Sequence, residues 1–121
     1  MIYGIGIDSV DLHRFERTVK RWGTKFTTRI LTPSELEYCN RGGERINSMA
    51  VRFAAKEALY KCLPPQLQCG IGWQAAEIMN DTNGRPRLYP RKPLAELLQD
   101  RLIHISLSHS VTNAVAVVII E

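Results

Sequence analysis

The sequence predicts an α+β fold in a single domain, with a mainly antiparallel sheet packed against a long central helix. Three observations carry that expectation. The stretch from about Ile46 to Leu63 is rich in small residues (Ala50, Ala54, Ala55, Ala58) and is stopped by Pro64-Pro65, which marks one long, closely packed helix. Ile103, Ile105 and Leu107 alternate with His104, Ser106 and Ser108, and Ala114–Ile120 is apolar on both faces, so the C-terminal part reads as strands, the last of them central. No repeat, low-complexity stretch or linker interrupts the chain, so residues 1–121 form one undivided domain.

The remaining elements follow in order. Ile2 to Val10 reads as a buried strand in which Gly4 and Gly6 permit close approach of backbone or ligand. From Asp11, a plausible N-cap, Leu12, Phe15, Val19 and Trp22 form one apolar helical stripe. Arg14, Arg17 and Arg21 lie on the opposite side as a ridge of guanidinium groups. Thr32-Pro33-Ser34-Glu35 is a capping box with Pro at N1, so a short helix should run to about Tyr38, before Gly42-Gly43. Glu77–Asn80 and Arg85–Leu88 flank the turn residues Asp81-Thr82-Asn83-Gly84 and predict a hairpin. Leu94, Leu97, Leu98 and Leu102 predict a short amphipathic helix.

Composition bounds the class. With 45% hydrophobic and 23% charged residues the 121-residue chain is globular rather than disordered or collagen-like. The longest apolar run, Ala114–Ile120, is too short to cross a bilayer, and Met1-Ile2-Tyr3-Gly4 lacks the basic start of a signal peptide. Cys39, Cys62 and Cys69 form no CxxC pair and read as packed thiols, so a reducing, cytoplasmic location without membrane association is expected. The net charge of +4 resides entirely in residues 1–61, with 11 Lys/Arg against 7 acids, while residues 62–121 carry 5 of each. The first half should therefore face an anionic partner.

Three places hold polar groups that packing does not require. Asp8 ends an apolar strand, where it either caps the following turn or helix or binds a partner or metal. Glu57 and Lys61 are one helical turn apart, which is the spacing of a surface ion pair, yet they share a stripe with Ala50 and Ala54. Lys56 falls on another stripe with Met49, Phe53 and Tyr60, where its stem would snorkel. Ser106-Leu107-Ser108-His109 ends a strand, where His109 and the hydroxyls suit a phosphate; Ser108 and His109 point to opposite faces and make a poor nucleophile pair. No GxSxG elbow, P-loop or GxGxxG fingerprint is present. Together these residues suggest a hard-metal phosphate site: Asp8 and Glu57 are too few to enclose Mg²⁺, whose shell is completed by waters and substrate phosphate, with a nearby lysine neutralising the departing phosphate.

Gly4-Ile5-Gly6-Ile7-Asp8 followed by Arg52-Phe53-Ala54-Ala55-Lys56-Glu57-Ala58-Leu59-Tyr60-Lys61 resembles the two signature motifs of the phosphopantetheinyl transferases. The short chain, Arg29-Ile30-Leu31-Thr32, the Asn83-Gly84-Arg85-Pro86 turn and the Ser106–His109 strand resemble the bacterial holo-[acyl-carrier-protein] synthase branch. The resemblance implies Mg²⁺-dependent transfer of 4′-phosphopantetheine from coenzyme A (CoA) to a serine of apo-acyl carrier protein, releasing adenosine 3′,5′-bisphosphate, a step that supports fatty acid and lipid metabolism. It implies Asp8 and Glu57 as metal ligands, Glu57 or a metal-bound water as proton acceptor, and Lys61 at the phosphates. Arg52 and His109 are expected at the nucleotide end of CoA, and Arg14, Arg17 and Arg21 on the acidic carrier protein. It further implies a homotrimer with sites between subunits. The chain departs from the family where Lys61-Cys62-Leu63-Pro64-Pro65 replaces Lys-Ala-x-Gly and where Arg85 stands in place of a common lysine. Two other classes compete. A basic nucleic-acid-binding module is disfavoured by the 7% aromatic content and by acids placed near the phosphates. A non-catalytic carrier-protein-binding subunit leaves Asp8, Glu57 and Lys61 idle.

Overall fold

The structure, a computed structural model, describes residues 1–121. Strand β1 (Gly4–Asp11) leads into helices α1 (Leu12–Trp22), α2 (Thr24–Ile30), α3 (Pro33–Arg41) and α4 (Arg45–Cys62). A short turn of helix α5 (Pro65–Gln68) and a 3₁₀ turn (Trp73–Ala75) precede the hairpin β2 (Ala76–Asn80) and β3 (Pro86–Pro90). Helix α6 (Leu94–Leu98) and strands β4 (Ile103–His109) and β5 (Asn113–Ile120) complete the chain. The strands form a three-stranded antiparallel sheet in the order β1-β5-β4 and a separate two-stranded antiparallel sheet, β2-β3. The α+β expectation and the central place of Ala114–Ile120 are both met.

Local signals explain most boundaries. Asp11 Oδ1 accepts from Arg14 N at 2.9 Å and starts α1, which buries Leu12, Phe15 and Val19. Trp22, expected on that buried stripe, is 52% exposed: α1 ends there, Gly23 (φ 57°) turns the chain, and the Arg21 guanidinium lies 5.1 Å from the ring centroid. Helix α2 was not anticipated, because Thr24–Ile30 buries only Thr27 and Ile30 and shows no long apolar period. The capping box is formed as expected, with Thr32 N donating to Glu35 Oε1 at 2.8 Å and Glu35 N to Thr32 Oγ1 at 3.2 Å. Helix α3 runs three residues past Tyr38, burying Cys39, and ends at Gly42. Helix α6 stops at Leu98, short of Leu102, where Gln99 adopts φ 53°.

Helix α4 covers one face of the large sheet, and two glycines set the distance. A Cβ on Gly4 would stand 2.2 Å from Cys62 O, and one on Gly6 would stand 1.9 Å from Ala58 O. The glycines therefore let strand and helix backbones touch, which accounts for the Gly-x-Gly pattern without a bound ligand. Ala114, Ala116, Val118 and Ile120 of β5 complete this buried face with Ala54, Ala55 and Ala58. The opposite face corrects the expectation of a wholly buried first strand: Ile5 and Ile7 are 63% and 60% exposed. Pairing sets Ile5 beside Ile119 and His104, and Ile7 beside Val117 and Ser106, so an apolar stripe crosses the uncovered side of the sheet. A second core cluster lies under α1–α3, where Phe53 packs on Phe15 at 5.6 Å and stacks on Trp73 at 5.1 Å.

Candidate active site

The alternation of β1 puts Asp8 on the same face as Gly4 and Gly6, toward α4. Because Gly6 lets α4 approach, the last turns of that helix come within reach of the strand end. Lys61 Nζ donates to Asp8 Oδ1 and to Ile7 O, both at 3.0 Å. The Lys61 side chain is half exposed and that of Asp8 mostly covered. Of the two readings open for Glu57 and Lys61, the i,i+4 ion pair is not formed, since the lysine reaches across to β1. Asp8 is likewise not a helix cap, a task that falls to Asp11.

Glu57 lines the same cavity as Asp8, a cleft of about 620 Å³ that also includes Arg14, Phe15, Phe26, Phe53 and Asn113. Its carboxyl pKa is raised, chiefly by burial and then by the Asp8 charge, against the opposing pull of Lys61. Two residues 49 positions apart in sequence thus sense each other electrostatically. No cluster of three or more His, Cys, Asp or Glu suited to a metal is present, so this pair is an incomplete shell. An all-oxygen pair of carboxylates in one cleft, one of them held back from ionising by burial and then by the other, suits a hard divalent cation whose remaining ligands come from water and substrate.

Glu57 also borders a second cavity of about 680 Å³, lined by Arg29, Lys56, Leu59, Tyr60, Ile71 and Trp73 among others. The residue therefore stands on the wall between a polar cleft and a largely apolar one. Arg14, Arg17 and Arg21 are exposed on α1, and Arg14 reaches the rim of the polar cleft.

Arg52 and His109 meet in a different cavity of about 270 Å³, together with Tyr38, Ser48, Asn80, Gly84 and Pro86. His109 is partly exposed, with Nε2 3.8 Å from Glu44 Oε2. Arg52 differs from a free anion binder. It is buried, its guanidinium donates to Ile78 O, Ser48 O and Asn80 Oδ1 at 3.0 Å each, and it lies over the Tyr38 ring. Its first task is structural, which the sequence expectation omitted. Within one chain, then, the Asp8–Glu57 pair and the Arg52–His109 pair line separate cavities.

Lys56 is a second correction. It does not snorkel; Nζ donates to Glu35 Oε1 at 2.7 Å and to Ile30 O at 2.8 Å in the core, with its pKa lowered by burial and partly restored by Glu35. The signal in the sequence is a lysine among Met49, Phe53 and Tyr60, which demands a buried acid, and Glu35 serves as that acid as well as capping α3. Cys39 and Cys62 are buried, and burial pushes the Cys62 thiol up to about 11, so both are inert packed thiols; Cys69 is exposed.

Comparison with known proteins shows the family. The family model of the 4′-phosphopantetheinyl transferase superfamily matches residues 4–119. The chain belongs to that superfamily, in its holo-[acyl-carrier-protein] synthase branch. It is 42% identical to the holo-[acyl-carrier-protein] synthase of Geotalea daltonii, over 100% of this chain and 99% of the relative. Its fold is similar to the Neisseria meningitidis holo-[acyl-carrier-protein] synthase, with a TM-score of 0.85, 35% identity and coverage of 100% and 99%. The Bacillus anthracis enzyme, solved in complex with CoA (3′,5′-ADP), gives a TM-score of 0.81 at 34% identity, covering 100% of this chain and 97% of that one. No helix of the chain is long and apolar enough to cross a membrane.

Proposed function

We propose that the chain transfers 4′-phosphopantetheine from CoA to a serine of apo-acyl carrier protein in an Mg²⁺-dependent reaction that releases adenosine 3′,5′-bisphosphate. The observation that carries the reading is the convergence of Asp8 from β1 and Glu57 from α4 on one cleft, with Lys61 of α4 paired to Asp8. Asp8 and Glu57 would hold the cation, which when bound neutralises and polarises the CoA diphosphate. Freed from Asp8, the Lys61 ammonium is positioned to receive the charge that builds on the leaving phosphate. Glu57 is the candidate to accept the proton of the carrier serine as that hydroxyl attacks the pantetheine-linked phosphorus; a water beside the cation would be the alternative base.

The basic face of α1 supports docking of an acidic carrier protein beside this cleft, since Arg14 borders it. His109 and the remaining N–H groups of Arg52 are assigned to the nucleotide end of CoA. Because they line a cavity apart from Asp8 and Glu57, a complete CoA site needs a second subunit. The uncovered stripe of Ile5, Ile7, Val117 and Ile119 supplies an apolar surface for the homotrimer that does this.

The test is to mix the purified chain with apo-carrier protein, CoA and Mg²⁺ and weigh the carrier by mass spectrometry. A gain of one phosphopantetheine group, lost on chelation of the metal, is expected. An unchanged carrier mass with folded enzyme would refute the proposal.

A further inference from the structure

The β2-β3 hairpin is not part of the main sheet, and one edge of β2 is completed by side chains instead of a strand. Ile78 lies opposite Leu88, yet its N–H donates to Glu35 Oε2 at 2.7 Å and its carbonyl accepts from Arg52 Nε at 3.0 Å. In an antiparallel pair, alternate residues turn both backbone groups outward, and here α3 and α4 each answer one of them. Two further bonds secure the same strand. Thr32 Oγ1 donates to Glu77 Oε2 at 2.6 Å, and Arg52 donates to Asn80 Oδ1 at 3.0 Å.

Glu35 and Lys56 form the centre of this arrangement. They are 0% and 3% exposed, 2.7 Å apart, and every buried side-chain polar atom has a partner. Through Lys56 the pair also ties down Ile30 O at the end of α2. A buried ion pair is not needed for stability alone, because apolar residues of similar volume usually do as well. Directional bonds near 3 Å do what apolar packing cannot: they fix one element's height and register against another. The elements fixed here are α4, where Lys56 immediately precedes Glu57, and the hairpin whose Asn80, Gly84 and Pro86 wall the cavity containing His109.

We infer that Glu35 and Lys56 are positioning residues. As a buried strut between α4 and β2, they hold the hairpin wall of the nucleotide cavity in register with the helix that carries Glu57 and Lys61. The inference rests on the CoA reading above, and it adds two residues that touch no substrate.

Two variants test it. E35Q keeps the size of the side chain and the acceptor for Thr32 and Lys56, but sets an amide donor against the Ile78 N–H. T32V removes the hydroxyl that anchors Glu77 and accepts from the Glu35 N–H at the start of α3, and it lies outside both substrate cavities. The readouts are the Kd of CoA by titration calorimetry, steady-state kinetics with CoA and apo-carrier protein, and hydrogen exchange at the Ile78 amide. For E35Q a rise of about tenfold in Kd and KM for CoA is expected, with kcat and the carrier-protein KM held within about twofold, and a smaller shift in the same direction for T32V. Faster exchange at Ile78 should accompany both shifts. A general loss of structure would instead lower kcat and affect both substrates. Wild-type CoA affinity in either variant, once folded, overturns the inference; should E35Q fail to fold, T32V decides alone. A wild-type chain that binds CoA without transferring refutes the functional reading, while the CoA affinities still decide the strut.

Discussion

Replacing Gly6 with Ala tests whether the closeness of β1 and α4 creates the site. The new Cβ would stand 1.9 Å from Ala58 O and 3.2 Å from Lys61 Cβ, whereas such contacts essentially never fall below 3.0 Å. The strand and helix must therefore part by at least 1.1 Å, because Ala58 O is a backbone atom and cannot swing aside. Asp8 lies on the same face two residues along, so its 3.0 Å contact with Lys61 and its shared cleft with Glu57 open together. Overpacking of this kind costs about 1–3 kcal/mol. The lower unfolded-state entropy of Ala offsets about 0.4–1 kcal/mol of that. A net loss of about 1–2 kcal/mol lowers Tm by roughly 3–8 °C in a chain of this size. A misplacement of about 1 Å in the reacting groups costs on the order of 100-fold in rate. Thermal melts and kcat/KM over an Mg²⁺ titration measure both effects. Gly4→Ala is the control, because its Cβ would clash similarly, 2.2 Å from Cys62 O, but four residues from Asp8; it should lose stability with a smaller loss of rate. A Gly6→Ala protein with wild-type melting and wild-type Mg²⁺ dependence would refute the close-approach reasoning.

Three further outcomes are expected. Burial and the neighbouring Asp8 raise the Glu57 pKa above its ordinary 4.5, so its ionisation weakens the fold progressively as pH climbs from 4.5 through that raised value. Glu57→Gln should consequently abolish transfer yet raise the melting temperature at pH 7, with the gain shrinking as pH falls toward 4.5 and absent below it, and Mg²⁺ stabilising only the wild type; lower stability at neutral pH would contradict this. Reversing the charges of Arg14 and Arg21 should raise the carrier-protein KM about tenfold or more at low salt while sparing the KM for CoA, an effect that shrinks as salt is added. Ile7→Lys places a charge on the uncovered sheet face and should convert the proposed trimer to monomers in light scattering, with transfer lost in parallel; wild-type protein that is itself monomeric and active would remove the proposed two-subunit site.

Much of the site was legible in the sequence because its signals are local or follow a simple period. The Thr32–Glu35 capping box, the Pro64-Pro65 stop and the alternation in Ile103–Ser108 each specify a boundary through contacts a few residues apart. Asp8 and Glu57 stood out because a carboxylate next to apolar positions needs a reason. The misread residues share one cause: their role depends on a partner far along the chain. Trp22 sits on an apolar stripe, but whether anything covers it depends on where Gly23 sends α2. Lys56 at a core position announces a buried acid without saying that Glu35 is the one, 21 residues away.

By itself the sequence determined most element types, α2 excepted, together with the α+β class, the basic first half and the residue kinds suited to a cation and phosphates. Periodicity, turn chemistry and charge are properties of neighbours in the chain, so no folded coordinates are needed to read them. Only the tertiary structure decided that Lys61 pairs with Asp8 rather than Glu57, that Arg52 is committed to the β2 edge, and that Asp8 and His109 line different cavities of one chain. Those outcomes depend on how near two backbones can come, and here that distance is set by the missing side chains of Gly4 and Gly6 against the carbonyls of α4.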